Sequence, residues 1–350
     1  MDLSRFDFDL PEELIALRPV EPRDTSRLLV VRGDGLFEDR VFSDLPELLA
    51  PQDVLVFNDT RVLPAALKAI RPARDEAGRD IDVDLNLVEP LGGDAWRVLA
   101  RPGRRLKLGD PLSIAPDFSA EIAAKHEGGY VDLRFDCGGQ TLREALEAYG
   151  NMPLPPYIAR RRAADSRDKT DYQTRFAGDD AASVAAPTAG LHFTSDLLQS
   201  LDRQNQFRDT VRLHVGLGTF APLTDDHWSS GTLHEEWREV STQTAKNLNA
   251  ARARGGRIIP VGTTSMRTLE SAWDGSKVEA VKGPTDIFIR PGDPIHVTQG
   301  LITNFHLPQS SLFMLICALM GTDIMQAAYA HAIQQGYRFY SYGDACLLLP

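Results

Sequence analysis

The sequence predicts an α/β fold: a mixed-sheet α/β domain built from both ends of the chain, with an inserted antiparallel β-barrel-like domain. Three observations carry this. Strand-like and helix-like stretches alternate over the first sixty residues and again after about Ser183. Between them, short alternating runs punctuated by glycine turns fill the stretch from Val62 to Phe135. The length, 350 residues, also exceeds what one simple core holds. The expected division is residues 1–61 and 151–350 for the α/β catalytic domain, and 62–150 for the β-rich insertion.

Taken in chain order, Arg27–Arg32 and Asp53–Phe57 are short apolar runs of buried-strand type. Ser43–Leu49 between them reads as a short helix, with Ser43 as its cap. The insertion offers Ile81–Val88, Trp96–Ala100, Pro111–Ala115, Ala120–Ala124 and Tyr130–Phe135 as strands. The turn signals Leu91–Asp94, Lys107–Asp110 and Glu127–Gly129 separate them. Thr141–Gly150 reads as a helix ended by glycine. The proline-dense stretch 151–182 cannot continue a helix and reads as a surface connection. Beyond it, Phe207–Val215 and Arg257–Val261 read as strands. Leu197–Gln204, Thr242–Arg254, Met266–Trp273, Leu312–Met320 and Gln326–Gln335 read as helices.

Composition narrows the function classes. The hydrophobic fraction of 43% and charged fraction of 25% are those of an ordinary globular protein. Three cysteines without a Cys-x-x-Cys pair disfavour a disulfide framework or a cysteine zinc site and suit a reducing cytoplasm. No basic-then-apolar leader opens the chain, and the apolar run Leu312–Met320 is too short to cross a bilayer, so neither secretion nor membrane insertion is expected. No His-Glu-x-x-His spacing or Gly-x-Ser-x-Gly elbow occurs, and no metal is expected. The net charge of −11 opposes a polyanionic partner, yet basic residues cluster at Arg101–Lys107 and at Arg160–Lys169. Each cluster is explained by a solvated face or by RNA contact.

Four motifs can carry chemistry. In Ala186–Thr194, Gly190 permits a close backbone approach, and His192, with a pKa near neutrality, can move a proton. A buried histidine satisfied by a hydrogen bond explains it equally well. In Arg257–Glu270, a strand runs through Gly262 into Thr263, Thr264 and Ser265 at a helix start, a place that receives a carboxylate or phosphate. Simple capping also explains those hydroxyls. Glu270 follows two turns later as a base or ribose acceptor. In Leu301–Ser311, Asn304 and His306 are polar groups set among apolar ones and need partners. Leu213–Phe220 holds a Gly-x-Gly that is weak evidence for a nucleotide loop.

These blocks, in this order, resemble the S-adenosylmethionine:tRNA ribosyltransferase-isomerase family of queuosine synthesis. The likeness begins at Phe6–Ala16 and Pro22–Leu29. It continues through Val56–Val62, Pro153–Ile158, the four motifs above and Thr285–Ile289, and ends at Tyr337–Asp344. It implies an α/β domain with an inserted barrel-like domain. It implies transfer of the ribosyl group of S-adenosylmethionine to 7-aminomethyl-7-deazaguanine at the wobble position of tRNA. Isomerisation there would yield epoxyqueuosine, with adenine and methionine released. The implied partners are S-adenosylmethionine, as co-substrate and without a metal, and a tRNA with a GUN anticodon. A monomer acting in the cytoplasm, with no membrane partner, is expected.

That chemistry needs a base to form a sulfonium ylide at C5′, a neutral amine and a dry pocket. His192, His306 and Glu270 are the candidates for proton transfer. Thr188, Gly190, Arg267 and Asn304 are candidate substrate contacts, and Thr263, Thr264 and Ser265 are candidates for holding a carboxylate or phosphate. Asp59 or Asp344 would face the aminomethyl group, and Arg160, Arg161 and Arg162 would meet the tRNA. The chain departs from the family pattern at Ala66, Gly231, Asp293 and Gln309, where arginine, histidine, tyrosine and lysine are common.

Overall fold

The computed structural model describes residues 3–179, 181–204, 206–216 and 223–350. The chain divides into two compact units. One comprises Met1–Thr60, Gln173–Asp180 and Ala186–Pro350; the other comprises Arg61–Tyr172 and Ala181–Ala185.

The first unit is built on a mixed sheet, as the sequence predicts. Among the described residues it has nine strands. Their order is Val281–Ile287, Thr232–Val240, Phe207–Leu213, Val54–Asn58, Ile258–Val261, Leu301–Asn304, Ala345–Leu349, Arg27–Arg32 and Phe37–Val41. The central strands Phe207–Leu213, Val54–Asn58, Ile258–Val261 and Leu301–Asn304 run parallel. Ala345–Leu349 is antiparallel to its neighbour Leu301–Asn304 and parallel to Arg27–Arg32. Strands buried on both faces read as continuous apolar runs, which is why Leu28–Val31 and Val54–Phe57 are fully apolar and buried.

Alternate residues of these strands enter different cores. Leu28, Val30, Leu55, Phe57, Val261 and Ile302 pack against helix Ser195–Arg203 and the short helix Leu45–Leu48 on one face. Leu29, Val31, Leu301, Val54 and Val56 pack on the other face. There they meet the helices Thr242–Ala253, Thr263–Glu270, Ser311–Met320 and Thr322–Gln334. Ser43 does not cap its helix: the turn Phe42–Asp44 precedes Leu45, and the Asp44 carboxylate accepts from the Val41 N–H instead. Among the described residues no single helix is long and apolar enough to cross a membrane.

The second unit is a closed six-stranded antiparallel barrel. Its order is Tyr130–Phe135, Ala95–Arg101, Ile81–Gly92, Ala66–Arg71, Pro111–Ala115 and Phe118–Lys125. Leu67, Val83, Leu85, Leu87, Val98, Leu112, Ile122, Val131 and Leu133 fill the interior. Five strands fall where alternation places them. The sixth, Ala66–Arg71, interleaves alanine and lysine with only two large apolar residues, so its period-2 signal is weak. Residues 151–172, expected with the α/β domain, cluster with the barrel because Ala66 and Asn151 exchange both backbone hydrogen bonds at 3.1 and 2.8 Å. Lys169 adds a bond to the Glu147 carbonyl at 3.0 Å.

Candidate active site

The parallel strands direct their carboxyl ends to one edge of the sheet, where open α/β sheets hold ligands. Asn58, Gly262 and Asn304 leave strands there. Register places the start of Ala345–Leu349 beside Asn304, and Leu28 beside Ala345, so Asp344 and Ser26 arrive at the same edge. Thr188–His192, a short 3-10 helix, lies against it.

A continuous hydrogen-bonded chain forms at this edge. Thr188 Oγ1 donates to Asn304 Oδ1 at 2.8 Å, and Asn304 Nδ2 donates to His192 Nε2 at 3.1 Å. With Nε2 accepting, the neutral ring carries its proton on Nδ1, which faces Ser26 Oγ at 2.8 Å. The imidazole stacks on Phe42, with centroids 4.8 Å apart. Burial, with the guanidiniums of Arg338 and Arg23 nearby, pulls the His192 pKa down to about 3. The ring is therefore neutral at physiological pH. Gly190 is required by a close approach: a Cβ there would lie 2.5 Å from Phe176 Cζ and 3.0 Å from Thr174 Cγ2. The cap of helix Ser195–Arg203 is Thr194, whose hydroxyl accepts from Leu197 N and donates to Asp24.

His306 sits elsewhere. Its Nε2 bonds to Thr303 Oγ1 at 2.8 Å, and its N–H donates to the Tyr329 hydroxyl at 2.9 Å. Thr303 and Asn304 are adjacent strand residues and point to opposite faces of the sheet. The structure thus separates the two histidines. Burial alone lowers the His306 pKa to about 3.

The helix Thr263–Glu270 begins without a side-chain cap on its first turn. Neither expected capping hydroxyl serves as one: Ser265 Oγ donates back to the Val261 carbonyl at 2.9 Å, and Thr264 Oγ1 accepts from Asn58 Nδ2 at 3.3 Å. Thr263 is buried beside them. Arg267 is buried and paired with Glu236. Its Nη2 has no partner among the described residues.

Several sequence-derived candidates are tied into the framework. Both Glu270 oxygens accept from the turn 296–298. The N–H groups of His296 and Thr298 lie at 2.8 Å, that of Val297 at 3.2 Å and the Thr298 hydroxyl at 2.7 Å. A carboxylate so surrounded ties the turn 296–298 to the end of its helix. Asp344 clamps backbone in the same way, accepting from Arg27 N at 3.0 Å and Arg338 N at 2.8 Å. Asp59 is held by Arg212 through two bonds of 2.9 Å, so its charge is already compensated. Of the basic triplet, Arg160 and Arg161 are exposed, although Arg161 also has a partner; Arg162 is committed to buried Asp168 at 2.8 and 2.7 Å. The Gly-x-Gly motif runs into residues 217–220, outside the described residues.

The departures from the family pattern have local explanations. Gly231 ends helix Asp225–Ser230 at φ 73°, a backbone region that histidine rarely adopts. Asp293 accepts from Arg290 N at 2.8 Å, and Gln309 donates to Asp7 at 2.8 Å. Ala66 opens a barrel strand.

Sequence reasoning missed Ser26, Asn58, Arg212 and Arg338. Ser26 and Asn58 lie inside matched blocks, but nothing in their spacing announces that Ser26 meets a histidine 166 positions away.

Fold and site together define an α/β protein with a neutral, buried histidine relay at the carboxyl edge of its sheet and a barrel inserted in the chain. The chain belongs to the queuosine biosynthesis protein family, whose model matches residues 3–348. It is 64% identical to the S-adenosylmethionine:tRNA ribosyltransferase-isomerase of Hyphomonas neptunium, covering 100% of both chains. It is 52% identical to the protein of the same name from Maricaulis maris, covering 99% of each. A crystal structure of S-adenosylmethionine tRNA ribosyltransferase from Thermotoga maritima is 35% identical, with a TM-score of 0.56 over 99% of this chain and 100% of that one.

Proposed function

We infer that this chain carries the activity its relatives are named for. It transfers the ribosyl part of S-adenosylmethionine to the aminomethyl group of 7-aminomethyl-7-deazaguanine in tRNA and isomerises it to epoxyqueuosine, releasing adenine and methionine. The observation that supports this most directly is the relay Thr188–Asn304–His192–Ser26. Ylide formation needs a neutral base in a site that excludes water, and His192 is neutral and buried. In this reading Nε2 exchanges its bond from Asn304 for the C5′ proton, while the Nδ1 proton stays on the ring and keeps its hydrogen bond to Ser26 Oγ. Asn304 and Ser26 hold the ring in one tautomer and orientation.

The uncapped first turn of helix Thr263–Glu270 is assigned the methionine carboxylate, which its free N–H groups and dipole favour. Glu270 and Asp344 take positioning roles. His306 is assigned to the packing beneath the site. The tRNA is one with a GUN anticodon, the enzyme acts as a cytoplasmic monomer, and the reading calls for no metal.

The test is chromatography of small molecules released from S-adenosylmethionine and tRNA bearing the aminomethyl base. Adenine and methionine from the wild type, at a rate lowered at least about a hundred-fold in His192→Gln, are expected. S-adenosylhomocysteine would instead mean methyl transfer. No product from folded protein would leave only a binding module.

A further inference from the structure

The barrel unit carries equal numbers of acidic and basic residues, so the whole net charge of −11 resides on the other unit. Within this neutral unit the charges are not evenly spread. A half-open cavity of about 670 Å³ lies at one end of the barrel strands Ala95–Arg101, Phe118–Lys125 and Tyr130–Phe135. It is formed where strand Ala95–Arg101 and the turn after it meet the turn 126–129. Arg101, Arg104, Lys125 and His126 line it, with the Tyr130 ring at its side and Glu127 as its one carboxylate. A Cβ on Gly103 would come 3.2 Å from Gly129 Cα, so the two glycines let the turns touch.

The partners of these groups decide what the cavity can do. Lys125 donates to the Leu106 carbonyl, and His126 pairs with Asp132 at 2.8 Å. Arg101 and Arg104 are exposed and form no ion pair with any described residue. Arg105 and Lys107 extend the same basic strip beyond the cavity. By contrast, Arg74, Arg97 and Arg162 in the same unit each have a carboxylate partner, at 2.6, 2.9 and 2.7 Å. Uncompensated guanidiniums beside an accessible concavity favour phosphate oxygens. Their exposure and their continuation as a strip suit a polyanion tracked along its length, whereas a small phosphate ligand calls for buried donors on all sides.

We propose that this cavity and its strip, Arg101–Lys107 with Lys125 and Tyr130, form a docking surface for the RNA backbone, on which the phosphates of the tRNA substrate lie. The proposal rests on the reading of tRNA as substrate. It shifts the principal contact away from Arg160–Arg162, where Arg162 is already engaged by Asp168 and Arg161 also has a partner.

The experiment measures equilibrium binding of unmodified tRNA between about 50 and 200 mM salt for the wild type, Arg101→Ala/Arg104→Ala and Arg101→Lys/Arg104→Lys. Binding is read without turnover, so a failure of the catalytic reading shows separately as absent adenine release. Loss of two phosphate contacts is expected to weaken binding about ten-fold or more at the lowest salt and to flatten the log–log salt slope by about 1.5. The lysine variant should keep most of the slope. Neither side chain is buried, so thermal midpoints should coincide, and a shared midpoint excludes unfolding as the cause. An unchanged affinity and slope in the alanine variant would overturn the proposal. So would binding of AMP as tight as that of tRNA with the same dependence on Arg101 and Arg104, which would make the cavity a nucleotide pocket.

Discussion

Lowering the pH from 7 to 5 should destabilise this protein through two histidines that the fold keeps neutral. Burial, joined at His192 by two guanidiniums, lowers the pKa of His192 and of His306 to about 3, against 6.5 in the unfolded chain. Both folded-state values are lowered, so between these limits the unfolded chain binds more protons. The stability these groups contribute is therefore complete above about pH 6.5 and is lost as pH falls toward 3. Each contributes a slope of about 1.4 kcal/mol per pH unit within that window. From pH 7 to 5 the loss is about 2 kcal/mol per histidine and about 4 kcal/mol for the pair. Carboxylates whose pKa values partners hold down, such as Glu38 beside Arg32 and Arg40 and Asp132 beside Arg97, start from ordinary values of 4.5 and 3.8 and are lowered from there, so they stay ionised in the folded protein between pH 7 and 5 and do not mask the effect. Urea unfolding at pH 7, 6 and 5 reads the effect. His306→Gln keeps a polar group near Thr303 and removes one titration. The variant should lose only about half as much stability over the interval as the wild type, whatever its stability at pH 7. Equal losses in the two proteins would show that His306 does not stay neutral in the folded state, and the reasoning would fail.

Other substitutions separate support from chemistry. Glu270→Ala strands three backbone N–H groups at His296, Val297 and Thr298, and at about 1–3 kcal/mol each should lower stability by roughly 3–9 kcal/mol. An unchanged thermal midpoint with abolished turnover would return Glu270 to the chemistry. Asn304→Ala removes the donor on His192 Nε2, and losing about 1.4 kcal/mol of orientation should slow adenine release about ten-fold at saturating substrates. A rate within two-fold of the wild type would show that the relay does not position the ring. Gly190→Ala forces a methyl against the Phe176 ring and should cost about 1–3 kcal/mol in urea unfolding. A neutral outcome would mean that the ring moves freely.

The sequence carried the architecture where local signals were strong. Leu28–Val31 and Val54–Phe57 are apolar on both faces because parallel strands are covered on both faces, and Ile81–Leu87 alternates because a barrel wall has one dry side. The weak cases fail for equally local reasons. Ala66–Arg71 has too few large apolar residues for its period to show. Thr232–Val240 and Val281–Ile287 carry charges, and the second a proline, so cross-strand pairing rather than local pattern makes them strands. Residues 151–172 look like linker, yet pairing with Ala66 gathers them to the barrel.

At the site, the sequence by itself determined which residue types were present: a histidine before a helix, hydroxyls after Gly262, an asparagine and a histidine in one short strand end. It could not say which of them meet. Adjacent positions on a strand face opposite sides of the sheet, so Asn304 reached His192 while Thr303 took His306 to the far face. Nor could it show that Glu270 and Asp344 are filled by backbone donors, because a carboxylate looks the same in sequence whether it waits for a substrate or clamps a turn. Only tertiary structure decided these pairings, since hydrogen-bond partners are fixed by strand register and by loops brought together from distant parts of the chain.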